Sequence, residues 1–75
     1  MTQKDIAARV DRLTKLSAGF GREIITWRNA HCHPSLYRET QDYLAAIRDA
    51  QHAVEQARIT LLKLNQKLAK LPRHQ

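Results

Sequence analysis

The triplet His31-Cys32-His33 gathers the side chains of this chain that could do the most varied chemistry. Imidazole nitrogen and thiolate sulfur are ligands for zinc and copper. A structural zinc site takes four ligands from two separated pairs, whereas the remaining histidines, His52 and His74, lie far along the sequence. The triplet therefore predicts a polar turn between two elements, and we assign no metal ligand and no cofactor.

The same triplet contains the residue types of a Cys-His nucleophile. Such a nucleophile needs an orienting acid, an oxyanion hole and a pocket for the substrate. The surrounding sequence predicts a simple helical scaffold with none of these. We therefore assign no catalytic residue, and the chain is predicted not to be an enzyme.

The length and the cysteine content restrict how this chain can be stabilised. With 75 residues it forms one small domain (1–75), and chains of this size bury only a modest core. A single cysteine excludes an internal disulfide and is typical of a reducing cytoplasm. There is no apolar run long enough for a membrane span, and the N-terminus lacks the features of a signal peptide. The prediction is a cytoplasmic chain that needs a partner for stability.

The first half of the sequence has the apolar spacing of an amphipathic helix over about residues 3–28. Thr2 and Asp5 provide an N-cap and a first-turn acid. The apolar face steps by three and four through Ile6, Val10, Leu13, Phe20, Ile24 and Trp27, with Ser17 at the weak position. Gly19 and Gly21 interrupt this helix, and they indicate either a kink or a close approach between backbones.

The second half predicts a longer helix over about residues 36–71. Pro34 ends the preceding element, Ser35 is the expected N-cap, and Pro72 closes the helix. Its apolar stripe alternates steps of four and three through Leu36, Thr40, Tyr43, Ile47, Ala50, Val54, Ala57, Leu61, Leu64, Leu68 and Leu71. Two helices joined by a short connection pack antiparallel, so the expected fold is an all-α two-helix hairpin.

A register for this hairpin follows from placing Arg28 opposite Leu36, so that facing residues have numbers adding to about 64. Leu61 then lies opposite Gln3, and the leucines beyond it have no partner within the chain. Uncovered apolar residues of this kind are typical of an interaction surface. The predicted partner-binding residues lie near the turn and in this overhang: Trp27, Tyr37, Tyr43, Leu44, Ile47, Leu64, Leu68 and Leu71.

The formal net charge of +6 is concentrated at the C-terminal end. Beyond Glu55 there are five basic residues and no acid, and Lys63, Lys67 and Lys70 flank the leucine stripe. Such an edge is typical of an interfacial membrane helix or a nucleic-acid contact. Cations are equally favourable at a helix C-terminus and on a solvated face, and no aromatic residues are interleaved with these lysines. The sequence therefore favours a solvated basic end over nucleic-acid binding.

The turn motif Pro34-Ser35-Leu36-Tyr37, opening a long second helix, resembles a known family. The YscE/PscE/SsaE family of small co-chaperones has a similar length, a single hairpin, a Pro-x-x-Tyr element and a later aliphatic residue that corresponds to Ile47. The resemblance covers roughly residues 8–64. It implies a cytoplasmic co-chaperone that, with a TPR-like chaperone, keeps a type III secretion needle subunit unpolymerised before export.

Two other interpretations fit the same sequence. One is a homo-oligomeric helical bundle, in which a second hairpin covers the surplus apolar surface. The other is a small nucleic-acid-binding regulator that uses the basic C-terminal helix. The first predicts a stable oligomer without any partner, and the second predicts salt-dependent binding to DNA or RNA.

Overall fold

The computed structural model describes residues 1–31 and 33–72, and these form two long antiparallel helices. Helix α1 spans Gln3–Asn29 and helix α2 spans Tyr37–Lys70, with a short 3₁₀ turn at Pro34–Leu36 between them. The pair measures 65 × 15 × 13 Å, so the molecule is one helix pair thick along its whole length. The all-α hairpin and both helix positions are confirmed.

The N-terminus of α1 carries the predicted cap. The hydroxyl of Thr2 accepts a hydrogen bond from the backbone nitrogen of Asp5 (3.1 Å), and the Asp5 carboxylate accepts one from the backbone nitrogen of Thr2 (3.0 Å). This reciprocal capping box satisfies two amide donors that the first turn leaves free. α1 then runs without a break through Gly19 and Gly21, so these glycines do not split the helix.

The connection into α2 differs from the predicted cap. Ser35 is not the N-cap of a helix; it lies inside the 3₁₀ turn, where the imidazole of His33 caps the turn by accepting from the Ser35 backbone nitrogen (3.2 Å). The Ser35 hydroxyl lies 2.7 Å from the same ring nitrogen. α2 itself begins after Leu36 with no side-chain cap. His33 thus has a structural role in a polar turn, whereas Cys32 lies outside the described residues.

The register of the hairpin is fixed by contacts between the two helices. The side-chain amide of Gln51 donates to the backbone carbonyl of Ser17 (3.1 Å), and the hydroxyl of Tyr43 donates to Glu23 (2.9 Å). Facing residues therefore have numbers adding to about 66 to 68, half a helical turn to one turn beyond the predicted 64. The predicted register, with Arg28 opposite Leu36, is corrected accordingly.

The seam between the helices is narrow, because two helices share just one strip of contact. Of the described residues, four are buried: Ile6, Ser17, Ile24 and Leu44. On α2 most of the buried and half-buried positions again step by four and three, through Thr40, Leu44, Ile47, Gln51, Val54, Arg58, Leu61, Asn65 and Leu68, with Ala50 and Glu55 half-buried beside them. Five of these nine positions belong to the predicted stripe; the other four are Leu44 and the polar residues Gln51, Arg58 and Asn65.

Candidate protein-binding surface

The rotation of α2 leaves a row of apolar residues uncovered along one side of the helix. We call this row the uncovered stripe; its members recur every seven residues and are Leu36, Tyr43, Ala50, Ala57, Leu64 and Leu71. All but the half-buried Ala50 are exposed, with 50% of Leu64 and 62% of Leu71 accessible. A seven-residue repeat keeps the row on one side of a gently supercoiled helix.

Polar contacts with α1 explain why this stripe faces outward. Gln51 lies in the seam, where its amide reaches Ser17, and Gly21 leaves the space that this amide occupies. Glu55 follows on the same side, and the Ser17 hydroxyl and then the Arg58 guanidinium hold the pKa of its carboxyl below the ordinary value. These interactions bring polar residues of α2 against α1 beside the apolar seam residues, and the uncovered stripe faces away from α1.

Near the turn, Tyr43 is held in place by a small cluster. Glu23 accepts hydrogen bonds on one carboxylate oxygen from the Trp27 indole (2.7 Å) and from the Tyr43 hydroxyl (2.9 Å). The two aromatic rings lie 5.1 Å apart at 58°. The hydrogen bond from the Tyr43 hydroxyl to the Glu23 carboxylate raises the pKa of Tyr43. The cluster fixes the aromatic end of the uncovered stripe before any partner binds.

A shallow groove of about 470 Å³ borders the stripe at this point. Its apolar walls come from Leu16 and Phe20 of α1 and from Tyr43 and Ile47 of α2. The groove extends the apolar surface from α2 onto α1. Leu16 and Phe20 were not among the predicted partner-binding residues. The sequence signal for Leu16 is that it is an apolar residue directly beside Ser17, at the edge of the α1 apolar face.

A second groove of about 360 Å³ lies at the turn end of the hairpin. Its lining includes Trp27, Tyr37, Leu44, Arg28 and Arg48. Tyr37 is 67% exposed, so its ring is available to a partner here. Arg28 and Arg48 give this groove two basic side chains among its aromatic and polar walls.

The predicted partner-binding residues divide into three groups in the structure. Five are exposed: Trp27, Tyr37, Tyr43, Leu64 and Leu71. Ile47 and Leu68 are half-buried in the seam and keep part of their surface. Leu44 is 4% exposed, so its inclusion is corrected: it packs within the hairpin and offers almost no surface to a partner.

The reason predicted for the exposure of Leu64 also needs correction. The observed register places positions 63 to 65 of α2 opposite Gln3, so Leu64 lies level with the end of α1 and not well beyond it. It is exposed because it points to the side of the seam, where the rotation of α2 leaves it uncovered. Leu71 lies past the end of α1, as predicted.

The three lysines near the end of α2 lie on its exposed side. Lys63, Lys67 and Lys70 are all solvent-exposed, and Lys67 and Lys70 lie in the last turn, where the helix dipole favours cations. The aromatic residues Trp27, Tyr37 and Tyr43 are at the opposite end of the hairpin. The basic end thus has no aromatic platform beside it on which a base could stack.

Within the described part of the chain, no group of three or more His, Cys, Asp or Glu side chains is arranged to hold a metal ion. Over the same residues, neither helix combines the length and hydropathy needed to cross a bilayer. His74, the fourth histidine of the sequence, lies outside the described residues.

No family model, curated protein or solved structure matches this chain.

Proposed function

We propose that this chain is a protein-binding co-chaperone whose uncovered stripe packs against a helix of another protein. The observation that carries the proposal is the heptad spacing of the stripe, because such spacing complements a second helix laid along α2. The middle of the stripe carries the small residues Ala50 and Ala57, and large side chains, Tyr43 and Leu64, flank it on either side. A partner helix can therefore approach closely in the middle and be held at both ends.

The exposed surface supports a binding role for the hairpin. Its accessible surface is 6321 Å² for 8.7 kDa. A compact monomer of this mass exposes about 4,700 Å². The excess of about 1,600 Å² is roughly twice the 800 Å² or so that one partner contributes to a standard protein–protein interface. The hairpin thus has ample surface for a partner to cover.

The partner that fits the resemblance is a TPR-like chaperone, acting together with a type III secretion needle subunit in the cytoplasm. A rigid hairpin with a spare apolar side is suited to this role, since TPR arrays bind helices in a concave groove. The co-chaperone would keep the needle subunit from polymerising before export. We do not extend the proposal to nucleic-acid binding, because the basic end lacks aromatic residues.

Co-expression with the TPR-like chaperone and the needle subunit encoded in the same gene neighbourhood tests this function. The expected result is a stable complex that contains all three chains and keeps the needle subunit soluble. Leu64→Glu should abolish the complex, because it places a charge in the stripe. Leu62→Glu is the matched control, since Leu62 is also exposed but lies about 200° around the helix from Leu64.

Two outcomes would overturn the proposal. The first is a needle subunit that stays soluble equally well without this chain. The second is an equal loss of the complex in Leu62→Glu and Leu64→Glu, which would show that the uncovered stripe is not the contact.

A further inference from the structure

The charges of the hairpin are separated along its length. The free-end half, residues 1–15 and 56–70, contains eight basic and two acidic residues. The turn-end half, residues 16–55, contains four basic and five acidic residues. Because the helices are antiparallel, the basic parts of α1 and α2 lie side by side and do not neutralise each other. The isolated hairpin is therefore basic at one end and weakly acidic at the other.

A second row of residues runs beside the uncovered stripe on the outer side of α2. We call it the outer edge; it begins three residues after Leu36 and consists of Glu39, Ala46, Ala53, Thr60 and Lys67. All five residues are exposed. Glu39 and Lys67 are 28 residues apart, about 42 Å along the helix, and cannot pair within one chain.

Both rows are nearly symmetric about one point. Reversing the outer edge about Ala53 exchanges Glu39 with Lys67, and reversing the uncovered stripe about a point half a residue further, between Ala53 and Val54, exchanges Tyr43 with Leu64. Small residues occupy the centre of both rows, and opposite charges or large apolar residues occupy the ends. A two-fold interface requires this self-complementarity, since each residue meets its counterpart from the other half.

We infer that, without its partner, the chain forms an antiparallel dimer in which the uncovered stripe of one copy packs on that of a second copy, with the two-fold axis near Ala53. Glu39 of each copy then lies beside Lys67 of the other. The basic free end of each hairpin lies against the weakly acidic turn end. A parallel arrangement would place the two basic ends together, which like-charge repulsion opposes.

The surface available is sufficient for such a dimer. Two copies together expose about 3,200 Å² beyond two compact monomers of this size. Obligate homodimers bury about 2,000 to 5,000 Å² and have more apolar interfaces than transient complexes. Ala50, Ala53 and Ala57 at the crossing allow the two α2 helices to approach closely. The dimer and the proposed complex use one surface, so binding of the partner replaces the second copy.

Analytical ultracentrifugation of the purified full chain tests the dimer. The wild-type chain is expected to sediment as a dimer, and Ala57→Glu as a monomer. Ala45→Glu is the matched control, because Ala45 is equally exposed on α2 but lies about 120° around the helix from Ala57. A wild-type chain that is monomeric up to its solubility limit would overturn the inference.

The orientation is tested by exchanging the charges of the outer edge. Glu39→Lys and Lys67→Glu alone should each weaken the dimer about tenfold, and the double variant should restore it, because the pair is then reversed but intact. In a parallel dimer these residues face their own counterparts, so the variants would not show this weakening and rescue. These substitutions are on the surface and leave the seam intact, which circular dichroism would verify.

The outcomes of this test are separate from those of the proposed function. A monomeric chain that still forms the complex with the TPR-like chaperone contradicts the dimer and leaves the proposed function in place. If the charge exchange restores the dimer but the chain forms no complex with the TPR-like chaperone, the dimer inference is supported and the proposed function is contradicted.

Discussion

Gln51 of α2 donates a hydrogen bond from its side-chain amide to the backbone carbonyl of Ser17 in α1, 3.1 Å away. This contact brings a polar residue into the seam and, together with the Tyr43–Glu23 hydrogen bond and the apolar seam residues, defines which side of α2 faces α1. The uncovered stripe lies one position around α2 from Gln51 and therefore faces away from α1. The stability of the hairpin and the exposure of the proposed binding surface are therefore linked through the rotation of α2.

We expect Gln51→Ala to lower the free energy of unfolding by about 1 kcal/mol, the usual net contribution of one such hydrogen bond. The Ser17 carbonyl lies inside α1, so in the variant it still accepts a backbone hydrogen bond within the helix and is not left unpaired. Urea denaturation followed by circular dichroism measures the change. No loss of stability would show that the apolar seam residues hold the register without Gln51.

The two glycines of α1 are predicted to respond differently to alanine. A Cβ at Gly19 would meet its nearest neighbour, the flexible Arg22 guanidinium, at 3.8 Å, so Gly19→Ala should stabilise the hairpin by up to about 1 kcal/mol through helix propensity. A Cβ at Gly21 would lie 3.4 Å from the Gln51 amide nitrogen. Gly21→Ala should therefore gain less. Thermal unfolding of the two variants side by side makes the comparison, and an equal gain would show that the Gln51 amide moves aside freely.

Much of this fold could be predicted from the sequence, because apolar periodicity and the prolines determine two helices and one turn. The α1 face from Ile6 to Ile24 lies where the spacing places it. The rotation of α2 could not be predicted in the same way. Hydropathy treats Gln51 and Arg58 as solvent-facing residues, whereas Gln51 bonds across the seam to Ser17 and Arg58 is half-buried beside its partner Glu55.

The candidate surface was partly predictable for the same reason. Tyr43, Leu64 and Leu71 were expected to contact a partner, and the structure leaves them exposed. Leu44 was expected there as well, but it is buried because the seam runs along the side of α2 that carries Leu44, whereas Tyr43 lies at its margin. The sequence could identify the apolar residues, but the division between core and surface depended on side-chain hydrogen bonds across the helices.

The cap of α1 should make stability depend on pH in the acid range. Hydrogen bonds from the Thr2 backbone and then the Thr2 side chain hold the pKa of Asp5 below its ordinary value. A group with a lowered folded pKa stabilises the native state above its unfolded pKa, and this contribution is lost as pH falls through the folded pKa. Asp5→Asn should therefore flatten the loss of stability below about pH 5. Denaturation series from pH 7 to pH 2 measure this, and an unchanged slope would contradict it.

The loss of stability caused by removing the α1 cap can also be predicted. Thr2→Ala leaves the Asp5 backbone nitrogen without its hydroxyl acceptor and should cost about 1 kcal/mol, as for other N-cap substitutions. Thr2→Ser keeps the acceptor and is the matched control. If Thr2→Ser were as unstable as Thr2→Ala, the cap would not be the cause.

The last prediction concerns the aromatic end of the uncovered stripe. Tyr43→Phe removes one of the two hydrogen bonds to Glu23 but keeps the ring against Trp27, whereas Tyr43→Ala removes the ring as well. Trp27 is the one tryptophan of the sequence, so its fluorescence reports on this contact. We expect Tyr43→Phe to leave the emission maximum nearly unchanged and to keep the dimer. Tyr43→Ala should shift the emission to the red, since the indole gains solvent, and should weaken the dimer because a large apolar side chain is lost from each end of the interface. A red shift with undiminished dimerisation would place Tyr43 in the cluster with Trp27 but outside the dimer contact.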